Sequence, residues 1–264
     1  MQCIFVSLDK RVNMNYKIEG SGETLVFIHG LSDNLLYWEI LANSLKDDFQ
    51  ILRFDLRGHG DSELGNDDIT LDTYVDDLFD LLGELKIDKV NLIGFSLGGA
   101  IALDFAVKHP RPVSSLVIMS SFAKTEDYLK NILNNLKMAL KNSFEEFYDL
   151  ILPKVLCPQV IEENISELEL IKEVSAQNAN VEGIIKAVDV CMNIDIEDNL
   201  YEIDVPTLIL AGKYDEMSLL SFQESMHDKI KNSQMVVFDN VKHNLLVGKN
   251  NIEILKILKN FLKK

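Results

Sequence analysis

Gly94-Phe95-Ser96-Leu97-Gly98-Gly99 stands between an apolar run, Val90–Ile93, and a second apolar stretch, Ala100–Val107. The first run has the length and composition of a buried strand, and the second continues as a helix to about His109, where Pro110 stops it. Passing from strand to helix within so few residues needs a tight turn. Glycines at 94 and 98 leave room where the two elements would otherwise collide. Such a turn strains the backbone of Ser96 and projects its side chain from the crest, with the positive end of the following helix facing any negative charge formed there. A glycine-bearing turn with an incidental serine is the plainer alternative; the strand and helix on either side favour a nucleophile elbow.

The same alternation extends outward. Leu25–Ile28 is a short apolar run bounded by His29-Gly30, and Leu35–Leu45 follows with helical spacing. Ile51–Phe54 ends at Asp55 and a glycine-containing loop, after which Leu71, Tyr74, Val75, Leu78, Leu82 and Leu85 mark one face of a helix capped by Thr70. Val113–Met119, Thr207–Leu210 and Met235–Phe238 read as further strands, with a helix around Leu219–Ile230 and a final helix, after Met235–Phe238, to Lys264. Near the start, Cys3–Leu8 and Val12–Glu19, flanked by Asp9-Lys10 and Gly20-Ser21-Gly22, predict an antiparallel pair at a sheet edge. The pattern predicts an α/β fold: a mostly parallel central sheet of about eight strands, with helices on both faces.

Strand signals stop between Phe122 and Leu200. Leu129, Ile132, Leu133, Leu136, Phe144, Phe147, Tyr148 and Ile151 recur at spacings of three and four, and Pro153 and Pro158 are expected to break the helices. The simplest division makes residues 1–121 and 201–264 the core and residues 122–200 a helical cap insertion over the carboxyl edge of the sheet, where α/β ligands bind.

A serine hydroxyl becomes a useful nucleophile only beside a base that a third group orients. Of five histidines, His29 lies in the turn after an early strand, His59 in a loop, His109 at a helix end and His227 on a polar helix. His243 follows Met235–Phe238 and should reach the carboxyl edge beside Ser96. Asp215 closes Leu208-Ile209-Leu210-Ala211-Gly212-Lys213-Tyr214-Asp215 at that edge and is the expected orienting acid, with Glu216 as the fallback. The backbone N–H groups of Leu31 and Leu97 are the expected oxyanion donors. Trp38, Phe95 and Phe122 are candidate substrate-pocket walls, although aromatic residues at such positions also serve as core.

Composition narrows the function. The 264 residues are 47% hydrophobic and 26% charged, the balance of a globular protein. With 42 acidic against 26 basic residues the formal charge is −16, which disfavours nucleic-acid and anionic-membrane partners. No apolar run approaches the roughly 20 residues that span a bilayer, and Met1 to Lys10 carries no evident secretory leader. Three scattered cysteines, Cys3, Cys157 and Cys191, argue against a disulfide framework and for a reducing cytoplasm. Asp67-Asp68 and Asp76-Asp77 lack calcium-loop spacing, so no metal or organic cofactor is expected. Lys259, Lys263 and Lys264 suit the negative end of a helix. The expected partner is a small ester-type molecule with an apolar portion.

Taken in order, His29-Gly30, Arg57-Gly58-His59-Gly60-Asp61-Ser62, Gly94–Gly99, Asp215 and His243 resemble the α/β-hydrolase fold superfamily, in its branch of small cap-bearing serine hydrolases. Around Asp204–Asp215 and His243 the chain is most similar to carboxylesterases and enol-lactonase-like hydrolases. The resemblance implies two-step acyl transfer on an ester or thioester and a structural role for the Arg57–Ser62 loop. Serine at 96 disfavours the members with an aspartate nucleophile, the haloalkane dehalogenases and epoxide hydrolases, and no acid cluster in the cap marks a proline iminopeptidase-like amine site. Lactone opening, carbon–carbon hydrolysis and perhydrolysis use the same triad. A slow-turnover ligand receptor on the same fold is the alternative from another class.

Overall fold

Among the described residues of this computed structural model, 4–8, 12–247 and 250–263, eight strands form one sheet. They are β1 (Ile4–Leu8), β2 (Val12–Glu19), β3 (Thr24–Ile28), β4 (Gln50–Phe54), β5 (Val90–Phe95), β6 (Val113–Met119), β7 (Thr207–Gly212) and β8 (Ser233–Phe238). Their order across the sheet is β1-β2-β4-β3-β5-β6-β7-β8. Only β2 runs against its neighbours, and all pairings from β4 to β8 are parallel. Cys3, Asp9, Lys10 and Lys264, which enter the expectations above, lie outside the described residues.

The continuous apolar strands occupy the middle because both their faces are covered. Side chains alternate across a strand. Val26 and Ile28 of β3 join Leu92, Leu116 and Ile118 on one face, under α2 (Leu71–Glu84) and α3 (Leu97–Lys108). Leu25 and Phe27 join Ile93, Val117 and Leu210 on the other, under α1 (Glu39–Leu45) and α10 (Asn250–Leu262). Thr70 begins α2 with a reciprocal cap: its Oγ1 accepts from Thr73 N, and Thr73 Oγ1 accepts from Thr70 N. The expected helix over Leu35–Leu45 starts as a tighter 3₁₀ turn, Leu35–Trp38, because the Asn34 side chain accepts from Leu36 N at 2.9 Å and winds the entry.

Five helices stand between β6 and β7: α4 (Asp127–Asn142), α5 (Phe144–Val155), α6 (Pro158–Glu163), α7 (Ile165–Asn178) and α8 (Val181–Met192), followed after a 3₁₀ turn and β7 by α9 (Leu220–Lys229). Pro158 opens α6, but Pro153 does not break its helix, contrary to the sequence expectation. It sits in the last turn of α5, where the missing N–H removes one hydrogen bond and the helix ends anyway after Val155. The insertion is tied to the loops at the carboxyl ends of β7 and β8. Lys242 Nζ donates to Pro153 O at 2.6 Å, Asn244 N to Val155 O at 3.0 Å, and Tyr128 Oη to Glu216 O at 3.1 Å.

Candidate active site

Ser96 joins β5 to α3 with φ 53° and ψ −118°, a conformation that costs about 1–3 kcal/mol and persists only where its surroundings enforce it. The enforcement is steric and hydrogen-bonded. A side chain at Gly94 would strike Gly98 O, and one at Gly98 would strike Ile28 O, so strand and helix meet only with glycine at both. Ser96 N donates to Met119 O at 2.9 Å, and Ser121 Oγ donates to Ser96 O at 2.7 Å.

The loop after β8 brings His243 to this crest, with Nε2 2.9 Å from Ser96 Oγ. Its Nδ1 lies 2.8 Å from Asp215 Oδ2, in the loop after β7. A carboxylate oxygen only accepts, so Nδ1 carries the proton and Nε2 is free to accept from the serine hydroxyl. Both His243 and Asp215 are buried. Asp215 is held on every side: Oδ1 accepts from Met217 N at 2.8 Å and Ser218 N at 2.9 Å, while Oδ2 also accepts from Ser218 Oγ at 2.8 Å. Glu216 points elsewhere and pairs with Lys242. The fallback acid is thus away from the imidazole.

Two residues in this brace were not singled out by sequence reading. Ser218 had a local signal, since an Asp followed three positions later by Ser is a common side-chain-capped turn. Gln223 had none: a glutamine within a helix is ordinarily solvated. Here it is fully buried, and its Nε2 donates to Ser121 O at 2.5 Å and to Ser218 O at 3.4 Å. It thereby links the segment that holds Ser96 to the segment that holds Asp215.

On the opposite side, the turn after β3 carries the expected oxyanion donor Leu31. His29 holds that turn: Leu56 N donates to its Nε2 at 2.9 Å, and its Nδ1 donates to Gly30 O at 2.8 Å. Complete burial keeps this imidazole neutral, pushing its pKa down to about 4. Among the described residues, neither Leu31 N–H nor Leu97 N–H has an acceptor within the protein.

The aromatic candidates separate. Phe95 packs against the His243 ring at 5.0 Å between centroids and stacks on Tyr37 at 4.7 Å. Tyr37 Oη in turn donates to Asn244 Oδ1 at 3.1 Å, beside His243. Trp38 and Phe122 belong to the packed core, Trp38 against Phe27 at 4.9 Å, and neither lines the cavity beside the Gly30 turn. Their size and apolarity are spent on packing.

A cavity of about 380 Å³ lies beside the turn, between the core and the insertion. Its core wall includes Asp33, Asp55 and His59, and its insertion wall includes Phe144, Val174 and Ile184. Asp55 is a structural post, accepting from Asn15 Nδ2, Leu35 N and Asp61 N. His59 is buried and neutral, its pKa pushed to about 3 by loss of water and then by His29. Among the described residues, no three His, Cys, Asp or Glu side chains gather as a metal site, and no helix is long and apolar enough to cross a membrane.

Residues 23–249 match the family model described as the alpha/beta hydrolase fold. The AB hydrolase superfamily protein YisY of Bacillus subtilis is 28% identical over 90% of this chain and 91% of its own length. Among solved structures, MGS-M2, an alpha/beta hydrolase enzyme from a Medee basin deep-sea metagenome library, matches with a TM-score of 0.93 at 22% identity, covering 99% of this chain and 98% of that one. The esterase EaEST from Exiguobacterium antarcticum matches with a TM-score of 0.88 at 23% identity over 100% of both chains. At such identities the structural likeness speaks for the fold alone.

Proposed function

The chain belongs to the alpha/beta hydrolase fold family, and on that premise we propose that it is a serine hydrolase that cleaves carboxylic esters or thioesters through an acyl-enzyme. The observation that carries this reading is the unbroken relay from Ser96 Oγ to His243 Nε2, 2.9 Å, and from His243 Nδ1 to Asp215 Oδ2, 2.8 Å.

In the first step His243 Nε2 takes the Ser96 proton as Oγ attacks the carbonyl carbon. The carbonyl oxygen becomes an oxyanion held by the N–H groups of Leu31 and Leu97, with the α3 N-terminus behind it. The absence of any other acceptor for these two groups among the described residues fits donors kept for substrate. The imidazolium then gives its proton to the leaving alcohol or thiol, and the carbon–oxygen or carbon–sulfur bond breaks. In the second step water delivers a proton to Nε2 and its oxygen to the acyl carbon. Collapse of that intermediate releases the acid and returns the proton to Ser96. Asp215 fixes the tautomer and stabilises the imidazolium throughout.

On this reading the five helices between β6 and β7 act as a cap, and the apolar Phe144, Val174 and Ile184 meet an apolar part of a small-molecule substrate. Cys157 and Cys191 stand free, in keeping with a reducing, cytoplasmic setting.

The test is stoichiometric labelling of Ser96 by a fluorophosphonate, together with p-nitrophenyl acetate hydrolysis that disappears in Ser96→Ala. Equal hydrolysis by wild type and Ser96→Ala removes the enzyme assignment. Labelling without turnover points instead to a slow ligand receptor.

A further inference from the structure

We propose that the cavity between the Gly30 turn and the insertion is a subsite for a cationic group of the substrate, an amine or quaternary ammonium, with the Asp33 carboxylate as its specificity-determining residue. The proposal rests on Ser96 being the nucleophile and adds the chemistry of the group that lies beyond the reacting carbonyl.

Asp33 closes the turn through its backbone, N donating to Gly30 O at 3.3 Å, so its place is set independently of its side chain. The side chain folds back over the turn: Oδ2 lies 3.3 Å from the point a Cβ on Gly30 would occupy. The Phe95 ring approaches that same point at 3.0 Å, and its centroid is 5.0 Å from that of His243. Asp33 also lines the cavity. One carboxylate therefore belongs both to the Gly30 turn, which Phe95 packs against on the side of His243, and to the wall of the cavity.

Its chemistry is open. Among the described residues nothing donates a hydrogen bond to the Asp33 carboxylate and no cation pairs with it. The other charged groups around the cavity are engaged. Asp55 accepts three hydrogen bonds, Asp61 has a partner, and Lys17 pairs with Glu19 at 3.1 Å. Partial burial pushes the Asp33 carboxyl up to about 7, the response of a carboxyl short of compensating donors. A cation beside it relieves that deficit. A substrate carboxylate at the same place meets like charge. Since the carboxylate comes from the core rather than the cap, it keeps its position relative to Ser96 however the insertion packs.

The probes are choline and its uncharged isostere 3,3-dimethylbutan-1-ol, used as competitive inhibitors of p-nitrophenyl acetate hydrolysis. They match in shape and differ in one charge. In the wild type at pH 8, choline is expected to bind at least about tenfold more tightly than the isostere. In Asp33→Asn the two should inhibit alike, with the isostere's Ki within about threefold of wild type. The preference should also shrink from pH 8 to pH 6 as Asp33 gains its proton. His243 and Tyr37 face Asp33, and Lys17, Asp55, Asp61 and His59 surround the cavity. Comparing two inhibitors at each pH cancels the titration of His243, which affects the shared assay equally. Equal binding in the wild type, no inhibition by either compound, or a preference unchanged in Asp33→Asn overturns the proposal. So does an equal loss of basal turnover and of both affinities in Asp33→Asn, which makes the side chain a brace for the turn. Failure of the underlying reading is distinct: hydrolysis would then persist in Ser96→Ala.

Discussion

Helix α3 is buried from Leu97 to Ala106, whereas none of the 14 residues of α7 is buried. The first lies between the sheet and α2. The second packs on α5 and α6 and leaves Leu170, Ile171 and Val174 to solvent. The difference divides the labour of the site. Moving Ser96 relative to His243 means repacking β5, β6 and α3, which a close-packed interior resists. Moving the cavity wall that α7 supplies disturbs few buried contacts, which places it at the low end of local stability. On the proposed function, reaction geometry is thus built into the firm part of the molecule, and one wall of substrate selection into the pliable part.

The largest effect should come from disturbing the firm part without changing its shape. Asp215→Asn keeps size and burial but puts an amide where the imidazole needs an acceptor and the imidazolium needs a charge. A kcat loss of about 10⁴-fold is expected. Glu216→Gln is the control one residue away. Its carboxylate is half-exposed and paired with Lys242, so the change should stay within about fivefold. Steady-state hydrolysis of p-nitrophenyl acetate measures both, and similar losses in the two variants would sink the assignment of the acid.

What the sequence made legible follows the same division. The strands, their mostly parallel pairing and the elbow at Ser96 are written in local terms: continuous apolar runs, glycines at 94 and 98, and a proline at 110. The Pro153 expectation erred because a helix breaker has little to break when it falls in a final turn. Glu216 and Asp215 are indistinguishable by composition, and the turn that points only Asp215 at His243 depends on Met217 and Ser218 N–H groups. Gln223 and Asp33 were invisible because their surroundings come from distant segments. Gln223 meets Ser121 across a sequence separation of 102 residues. The cavity beside Asp33 exists only once the insertion is folded against the Asp55–Asp61 loop.

A second, smaller effect appears with pH, and it too belongs to the firm part. His29 and His59 are buried neutral, with pKa values of about 4 and about 3 against an ordinary 6.5. Above pH 6.5 neither folded nor unfolded chain protonates them, and their full stability is present. Below 6.5 the unfolded chain takes protons that the folded chain refuses, so stability falls until the pH reaches the folded values. Asp33, raised to about 7, works the other way, since the folded chain takes up a proton first, and Asp55, also raised, adds to that offset. Two histidines outweigh the one carboxyl raised as far, so stability should fall by on the order of 1 kcal/mol between pH 6.5 and 5. Urea unfolding should show the loss, and Asp33→Asn, which removes an offset, should steepen it. Stability that rises over this interval would contradict the buried, neutral state of the two histidines.

The smallest effect tests the pliable part directly. Leu170→Gln and Ile171→Gln replace apolar side chains that are already exposed to water, so little transfer free energy is lost and unfolding should shift by no more than about 0.5 kcal/mol. Leu103→Ala in α3 removes a side chain with no exposure and should cost about 2–5 kcal/mol. Between them lies Val174→Ala. Val174 is largely exposed yet lines the cavity, so stability should hold while KM for substrates with a bulky apolar group rises and kcat stays near wild type. A kcat loss in Val174→Ala comparable to its KM change would mean that α7 helps set the reaction geometry, and the division between the two regions would fail at the one residue where they meet.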